Sequence, residues 1–214
     1  MSAHEQLQQT ARTEGLPAAI KGQCVFYMYR TSWGVSMAQT KRFDKREAME
    51  RTIILKQLRA ALEREGVQGF LLPVNDPYMS EYPPAHYRRL AWMTGFTGSA
   101  GSVAVLPEKA ALFVDGRYTL QAAQQVDSTC YETHNIADLS AGKWLAQHAP
   151  EGTVIGYDPW LHTADGIHRL EKACDGKVTL RPLSTNPIDT LWEDRPALTA
   201  EPITLHPQHY SGAV

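Results

Sequence analysis

Ser99 is the residue whose surroundings first invite a chemical reading. It stands in Thr97-Gly98-Ser99-Ala100-Gly101, close to the Gly-x-Ser-x-Gly turn that exposes a serine nucleophile between a strand and a helix. The match fails at its first glycine, where Thr97 stands, and the run opens onto a β-rich stretch instead of a helix. The glycines are therefore expected to shape a backbone turn, because glycine takes positive φ at little steric cost. The same order excludes a phosphate cradle, which needs a Gly-Lys-Ser/Thr end. It also excludes a dinucleotide fingerprint, which needs a strand before it and a helix after it.

Metal chemistry finds no better footing. The sequence holds no HExxH and no HxH. His162 and His168 are six residues apart around a predicted helix start, and His206 and His209 are three apart in a proline-containing tail. A catalytic metal needs three or more fixed ligands and a second shell to orient them. The histidines are read as exposed or capping, and no metal ligand set is expected. No close pair of carboxylates stands apart for general acid–base work. Asp115-Gly116-Arg117-Tyr118 is more informative. It follows an apolar run, turns on a glycine and precedes a helix, and such strand-end loops are where mixed α/β sheets present ligand-facing groups. Arg117 carries five donors in a rigid fork suited to a carboxylate or a peptide carbonyl. On the residues alone two readings stand: Arg117 faces a ligand, or it pairs with Asp115.

These groups need elements to hold them. From Asp44, Met49, Ile53, Leu55, Leu58 and Leu62 recur near helical spacing, with Gly66 placed as a C-terminal stop. Residues 69–74 read as a buried strand broken by Asn75-Asp76-Pro77, and a short helix is expected over 88–92. Two β-runs at 102–106 and 110–114, separated by Pro107-Glu108-Lys109, suit a hairpin. A helix over 118–126, a strand over 129–133, a helix over 138–148, a strand over 153–157, a helix over 163–174 and a strand over 177–180 follow. Residues 186–192 can form one more short helix. Strands alternating with helices, plus one hairpin, predict an α/β fold with a mixed sheet flanked by helices. Trp92, Trp144, Trp160 and Trp192 are read as core or interface packing.

Composition bounds the class. Of 214 residues, 43% are hydrophobic, enough to fill a core. A net charge of -2 argues against a nucleic-acid surface, which needs clustered basic excess. The run Lys41-Arg42-Phe43-Asp44-Lys45-Arg46-Glu47 interleaves acids and reads as a solvated helix face. Three scattered cysteines, Cys24, Cys130 and Cys174, suit a reducing compartment, and no CxxC pair exists for structural zinc. The first twenty residues lack the roughly 7–15-residue apolar stretch of a secretory signal, and no segment approaches the ~18 apolar residues of a membrane span. The expectation is a cytoplasmic protein without membrane or nucleic-acid partners. Residues 1–43 are expected to be a poorly ordered extension, with Met37 a candidate start. Residues 44–195 form the domain, and the proline-punctuated stretch 196–214 is expected to be a linker toward a missing domain.

Four stretches then carry a resemblance together. They are Arg88-Arg89-Leu90-Ala91-Trp92-Met93-Thr94-Gly95-Phe96-Thr97-Gly98-Ser99-Ala100-Gly101, Val114-Asp115-Gly116-Arg117-Tyr118-Thr119-Leu120-Gln121, Tyr157-Asp158-Pro159-Trp160-Leu161-His162-Thr163, and Asn186-Pro187-Ile188-Asp189 through Trp192-Glu193-Asp194-Arg195-Pro196. In this order they resemble the N-terminal, creatinase-type domain of Xaa-Pro aminopeptidases (the aminopeptidase P family). The resemblance implies a ribonuclease-H-like arrangement of the mixed sheet. It implies that a "pita-bread" catalytic domain with two manganese or similar divalent ions lies outside this chain, where those ions activate the water that cleaves the bond before a penultimate proline. It also implies substrate contact by Arg117, homo-oligomer formation, and peptides with proline at the second position as substrates. One departure stands out: where the family usually carries His-Gln before Ser80-Glu81-Tyr82, this chain has Tyr78-Met79.

The expected function is thus the N-terminal domain of a metal-dependent Xaa-Pro aminopeptidase, inactive alone, contributing substrate positioning and oligomer contacts. The alternative is a stand-alone, non-catalytic peptide-binding or scaffold module of the same fold. A proline dipeptidase or creatine amidinohydrolase domain is a third reading, from which the blocks around Gly98 and Arg117 lean away.

Overall fold

The structure, a computed structural model, describes residues 28–31, 34–37, 45–198, 202, 204–205, 207–210 and 212. Most of the extension expected over 1–43, and much of the linker expected over 196–214, lies outside the described residues. Within the first stretch, Met28–Thr31 (β1) and Gly34–Met37 (β2) pair as an antiparallel hairpin. This unit is distinct from the one that begins at Lys41.

The larger unit opens with Lys45–Arg64 (α1). Leu55, Leu58 and Leu62 recur at three- and four-residue spacing and are buried, which gives the helix its core-facing stripe. Met49 and Ile53, which fit the same period in sequence, are exposed, so the stripe is shorter than the pattern predicts. The helix closes at Gly66, with Val67 N–H donating to Leu62 O and Gly66 N–H to Glu63 O, the double bond of a glycine-terminated helix.

Six strands follow: Gly69–Pro73 (β3), Gly101–Val105 (β4), Ala110–Val114 (β5), Glu132–Asn135 (β6), Thr153–Tyr157 (β7) and Val178–Pro182 (β8). They form one sheet in the order β6-β5-β4-β3-β7-β8. β4 is antiparallel to β3 and β5, while β3–β7, β7–β8 and β5–β6 are parallel. The mixed α/β sheet expected from the alternation of elements is therefore the observed one.

Period-2 alternation assigns the two faces. Phe70, Leu72, Val103, Val105, Leu112 and Val114 join Leu58, Leu62 and Met93 on one side. Leu71, Ala104, Ala111, Phe113 and Ile155 join Trp144 and Leu145 on the other. The first face is covered by α1, Arg89–Thr94 (α2), Thr119–Gln125 (α3) and Pro187–Leu191 (α6). The second is covered by Ala141–His148 (α4) and Ala164–Ala173 (α5). Every residue of β3 and β5 is buried, as strands covered on both faces must be.

Two boundaries differ from the sequence pattern for a local reason. β6 begins at Glu132, later than expected, because the Asp127 carboxylate captures Thr129 N–H and Oγ1–H and its carbonyl accepts from Cys130 and Tyr131 N–H. That turn competes with extended backbone. α4 begins at Ala141 because Asn135 organises a turn through Ala137 and Leu139, and Ser140 then caps the helix at Lys143 N–H.

Candidate functional site

Because β3, β5, β7 and β8 run one way and β4 the other, the carboxyl ends of the first four and the amino end of β4 share one edge of the sheet. The loops that carry Asp76, Asp115–Arg117 and Asp158–Trp160, the glycine-rich segment that enters β4, and the start of α6 all issue from that edge.

Arg117 sits in a short 3-10 turn, Gly116–Tyr118, directly after β5. Asp115 caps this turn: its Oδ1 accepts the backbone N–H of Arg117 at 3.0 Å and the side-chain Nε–H at 2.8 Å. These bonds from Arg117 hold the Asp115 carboxyl below the ordinary carboxylate range, and the carboxylate in turn holds the guanidinium above its usual value. The Arg117 side chain is 71% exposed, and its two terminal nitrogens make no hydrogen bond among the described residues. Both readings of the sequence thus meet in one geometry. The Nε edge is tied to Asp115, and the other edge of the fork remains available to a ligand.

Tyr118 backs this arrangement. The Arg117 Cζ lies 5.5 Å from the Tyr118 ring centroid, within range of a cation–π contact. The Tyr118 hydroxyl is 2.7 Å from Ser99 Oγ, and its ring meets Phe96 edge-on at 5.8 Å. Gly98 is required beside it: a Cβ there would lie 2.3 Å from Phe96 Cζ and 2.9 Å from Tyr118 Cδ1. The glycine-rich loop is also stitched to α3, since Gln125 Oε1 accepts from Thr97 N–H at 3.0 Å and Gln121 Nε2–H donates to Thr97 Oγ1. Ser99 is therefore a partner of Tyr118, and its loop leads into a strand, as the failed nucleophile match implies. A small hollow of about 110 Å3 between Val74, Tyr82, Leu90, Phe96 and Ser99 adjoins this corner.

The start of α6 is locked to α2. Arg89, 5% exposed, makes two hydrogen bonds to the Asp189 carboxylate, from Nε at 2.6 Å and Nη2 at 2.9 Å. Arg195 Nη1 reaches the same carboxylate at 2.9 Å. Burial pushes the Asp189 carboxyl up, but the bonds and charges of Arg89 and Arg195 outweigh it and hold the group below its ordinary value. Trp92 and Trp192 stack beside this lock with centroids 5.5 Å apart. The resembling blocks at 88–101 and 186–196 thus meet in space, and their charged members hold the fold together.

His162, read from sequence as exposed or capping, is largely buried, with Nε2 enclosed and unpaired. Burial pushes it down to about 4, against a weaker opposing pull from Asp158. His168 lies on exposed helix surface beside Glu171, and nothing brings the two histidines together. Among the described residues no group of three or more His, Cys, Asp or Glu side chains is placed to hold a metal ion. Trp160, expected to pack, is instead exposed, whereas Trp92, Trp144 and Trp192 are partly or fully buried.

Residues 54–191 match the family described as the creatinase/prolidase N-terminal domain. The chain belongs to that family. This creatinase-type domain is 33% identical over 169 residues to Xaa-Pro aminopeptidase 2 of Rattus norvegicus, covering 78% of the chain and 25% of the relative. It is 34% identical over 152 residues to aminopeptidase P2 of Arabidopsis thaliana, covering 69% and 21%. The chain spans about a quarter of the length of the curated relatives it matches. Among solved structures, the X-prolyl aminopeptidase of Caenorhabditis elegans, described as a cytosolic enzyme with a di-nuclear active site, superposes with a TM-score of 0.66 at 30% identity. That match covers 71% of this chain and 27% of the other. The N-terminal domain of the cytoplasmic peptidase PepQ from Mycobacterium tuberculosis gives a TM-score of 0.50 at 27% identity, over 65% of this chain and 98% of that one. Among the described residues no helix is long and apolar enough to cross a membrane.

The Ser99–Tyr118 contact, the Arg89–Asp189–Arg195 lock and the presented Trp160 were not found from sequence. Only the first had an accessible signal. Tyr118 directly follows Arg117, and Ser99 lies in a loop whose glycines have no catalytic reading.

Proposed function

We propose that this domain positions peptides with proline at the second position for a cytoplasmic Xaa-Pro aminopeptidase whose hydrolytic centre lies in a domain outside this chain. The observation that carries the reading is the half-tied fork of Arg117. Asp115 fixes the Nε edge, and the terminal nitrogens are left to donate to a peptide carbonyl or carboxylate. A guanidinium already held in place loses less freedom on engaging a substrate, and orientation of this kind lowers a barrier without chemistry from the orienting group.

The residues of this chain do not fit a metal centre, since no three potential ligands converge among the described residues. The two divalent ions, manganese by family resemblance, are assigned to the other domain, where they would supply the activated water. Homo-oligomer contacts belong to the same proposal.

The test is Arg117→Ala in the full-length polypeptide. The expected result is a fall in kcat/KM for Xaa-Pro peptides of at least about tenfold, with Asp115→Asn giving a smaller fall and neither variant changing the thermal midpoint. Unchanged kinetics for Arg117→Ala would remove the positioning role and leave a binding or scaffold module as the better description.

A further inference from the structure

A second hollow lies away from Arg117, between the loop after β7 and the start of α6. It measures about 460 Å3, and Arg89, Asp158, Trp160, Asn186, Asp189 and Thr190 contribute to its wall. Its wall is built, not left over from loose packing. Asp158 caps the turn Pro159–Leu161 by accepting Trp160 N–H at 2.9 Å, and Leu161 is fully buried beneath it. Asn75 Nδ2–H donates to Leu161 O from the loop after β3. This framework holds the Trp160 indole at the surface, 74% exposed.

What the hollow can recognise follows from which of its polar groups are already engaged. Both carboxylates are saturated. Asp158 Oδ1 accepts from Trp160 N–H and its Oδ2 from Asn186 Nδ2–H at 2.9 Å. Asp189 Oδ1 accepts from Arg89 and Arg195, and its Oδ2 from Arg89. The Asn186 carbonyl is taken by Ile188 N–H. The groups left over can all donate. Arg89 Nη1 is buried without an acceptor. The Trp160 indole N–H, which can only donate, and the Thr190 hydroxyl make no hydrogen bond among the described residues.

A ligand for this wall must therefore bring acceptors and few donors. It must also be close to neutral, because two aspartates stand beside one arginine and would repel an added anion. It must offer a flat apolar surface to the indole. An extended segment containing proline meets all three conditions. Its carbonyls accept, its proline nitrogens lack N–H, and its rings pack on aromatic faces in the polyproline II conformation.

We propose that this hollow is a binding site for a separate, proline-containing peptide in polyproline II conformation, with Trp160 as the stacking platform and Arg89 and Thr190 as carbonyl donors. The proposal does not rest on the role of Arg117.

The experiment is a titration of the isotopically labelled chain with acetyl-hexaproline amide, followed by two-dimensional NMR, with acetyl-(Gly-Ser)3-amide as the comparison. The expected result is saturable movement of the Trp160 indole N–H and of the Thr190 amide with the proline peptide and not with the comparison. Trp160→Ala, at an exposed position, should weaken binding about tenfold or more. Thr190→Val should weaken it roughly two- to tenfold and serves if the first variant loses its dispersed spectrum. Arg117→Ala should leave it unchanged, so that this site and the Arg117 reading fail separately. The proposal is overturned by an absence of movement at Trp160 at millimolar peptide, by equal movement with the Gly-Ser peptide, or by movement confined to Ser99 and Arg117.

Discussion

Replacing Asp189 by Asn tests the account of how α2 and α6 are held together. The substitution keeps the shape of the side chain and removes the only carboxylate that Arg89 and Arg195 share, at 2.6 and 2.9 Å. Arg89 is 5% exposed, so its charge would be left in the protein interior without its counter-charge. Removing one partner of a buried pair costs about 3–5 kcal/mol. Asp189 keeps 32% of its side chain in solvent, which places the expectation near the lower end, about 3 kcal/mol. For a domain of this size each kcal/mol moves the thermal midpoint by roughly 2–4 °C, so the midpoint should fall by roughly 6–12 °C. The sign of the pH dependence follows from the depressed carboxyl. Its contribution is present above the unfolded value, about 3.9, and is lost as pH falls through the lower folded value. The gap between the two proteins should thus be widest near neutrality and shrink in strong acid. Urea denaturation of both proteins across a pH series measures it. A gap under about 1 kcal/mol at pH 7, as for an exposed pair, or one that does not close in acid, refutes the reasoning.

Two further substitutions probe other parts of the domain. Burial sets His162 at about 4 instead of 6.5, so the unfolded chain binds more protons between those values and stability declines as pH falls from about 6.5 to 4, by up to about 3 kcal/mol. His162→Phe should flatten that limb in a denaturation series, and an unchanged slope would count against the buried neutral imidazole. Gly98→Ala would place a methyl 2.3 Å from Phe96 Cζ. It should cost about 1–3 kcal/mol by overpacking, together with loss of the Ser99–Tyr118 contact; a neutral midpoint would show that the corner is looser than described.

Much of the sheet was legible because its strands alternate strongly and are separated by breakers. The runs at 69–74, 110–114 and 153–157 have apolar side chains on both faces and short polar boundaries, and the observed strands lie within a residue of them. β6 was harder. Glu132-Thr133-His134-Asn135 carries little apolar signal, and the Asp127 turn displaces its start. Met49 and Ile53 misled in the opposite way, since their spacing fits a core stripe that ends before reaching them. At the candidate site, Arg117 could be singled out because a strand end, a glycine and a fork of donors are adjacent in sequence. The Arg89–Asp189 lock spans a hundred residues, so no local pattern announces it. The burial of His162 likewise depends on a neighbouring strand and loop that periodicity does not describe.

The middle of the sheet has a consequence for how the chain is made. β3 pairs with β4 nearby in sequence, but its other neighbour, β7, supplies Ile155 opposite Gly69. During synthesis β3 therefore leaves the ribosome long before the strand that covers its second edge. Until residues 153–157 emerge, a fully apolar strand, Phe70-Leu71-Leu72, presents open backbone hydrogen-bonding groups to any other chain. Such an edge templates aggregation, and pairings across long sequence separations form late. Nascent chains stalled before Thr153 are thus the form of this protein most in need of chaperone protection.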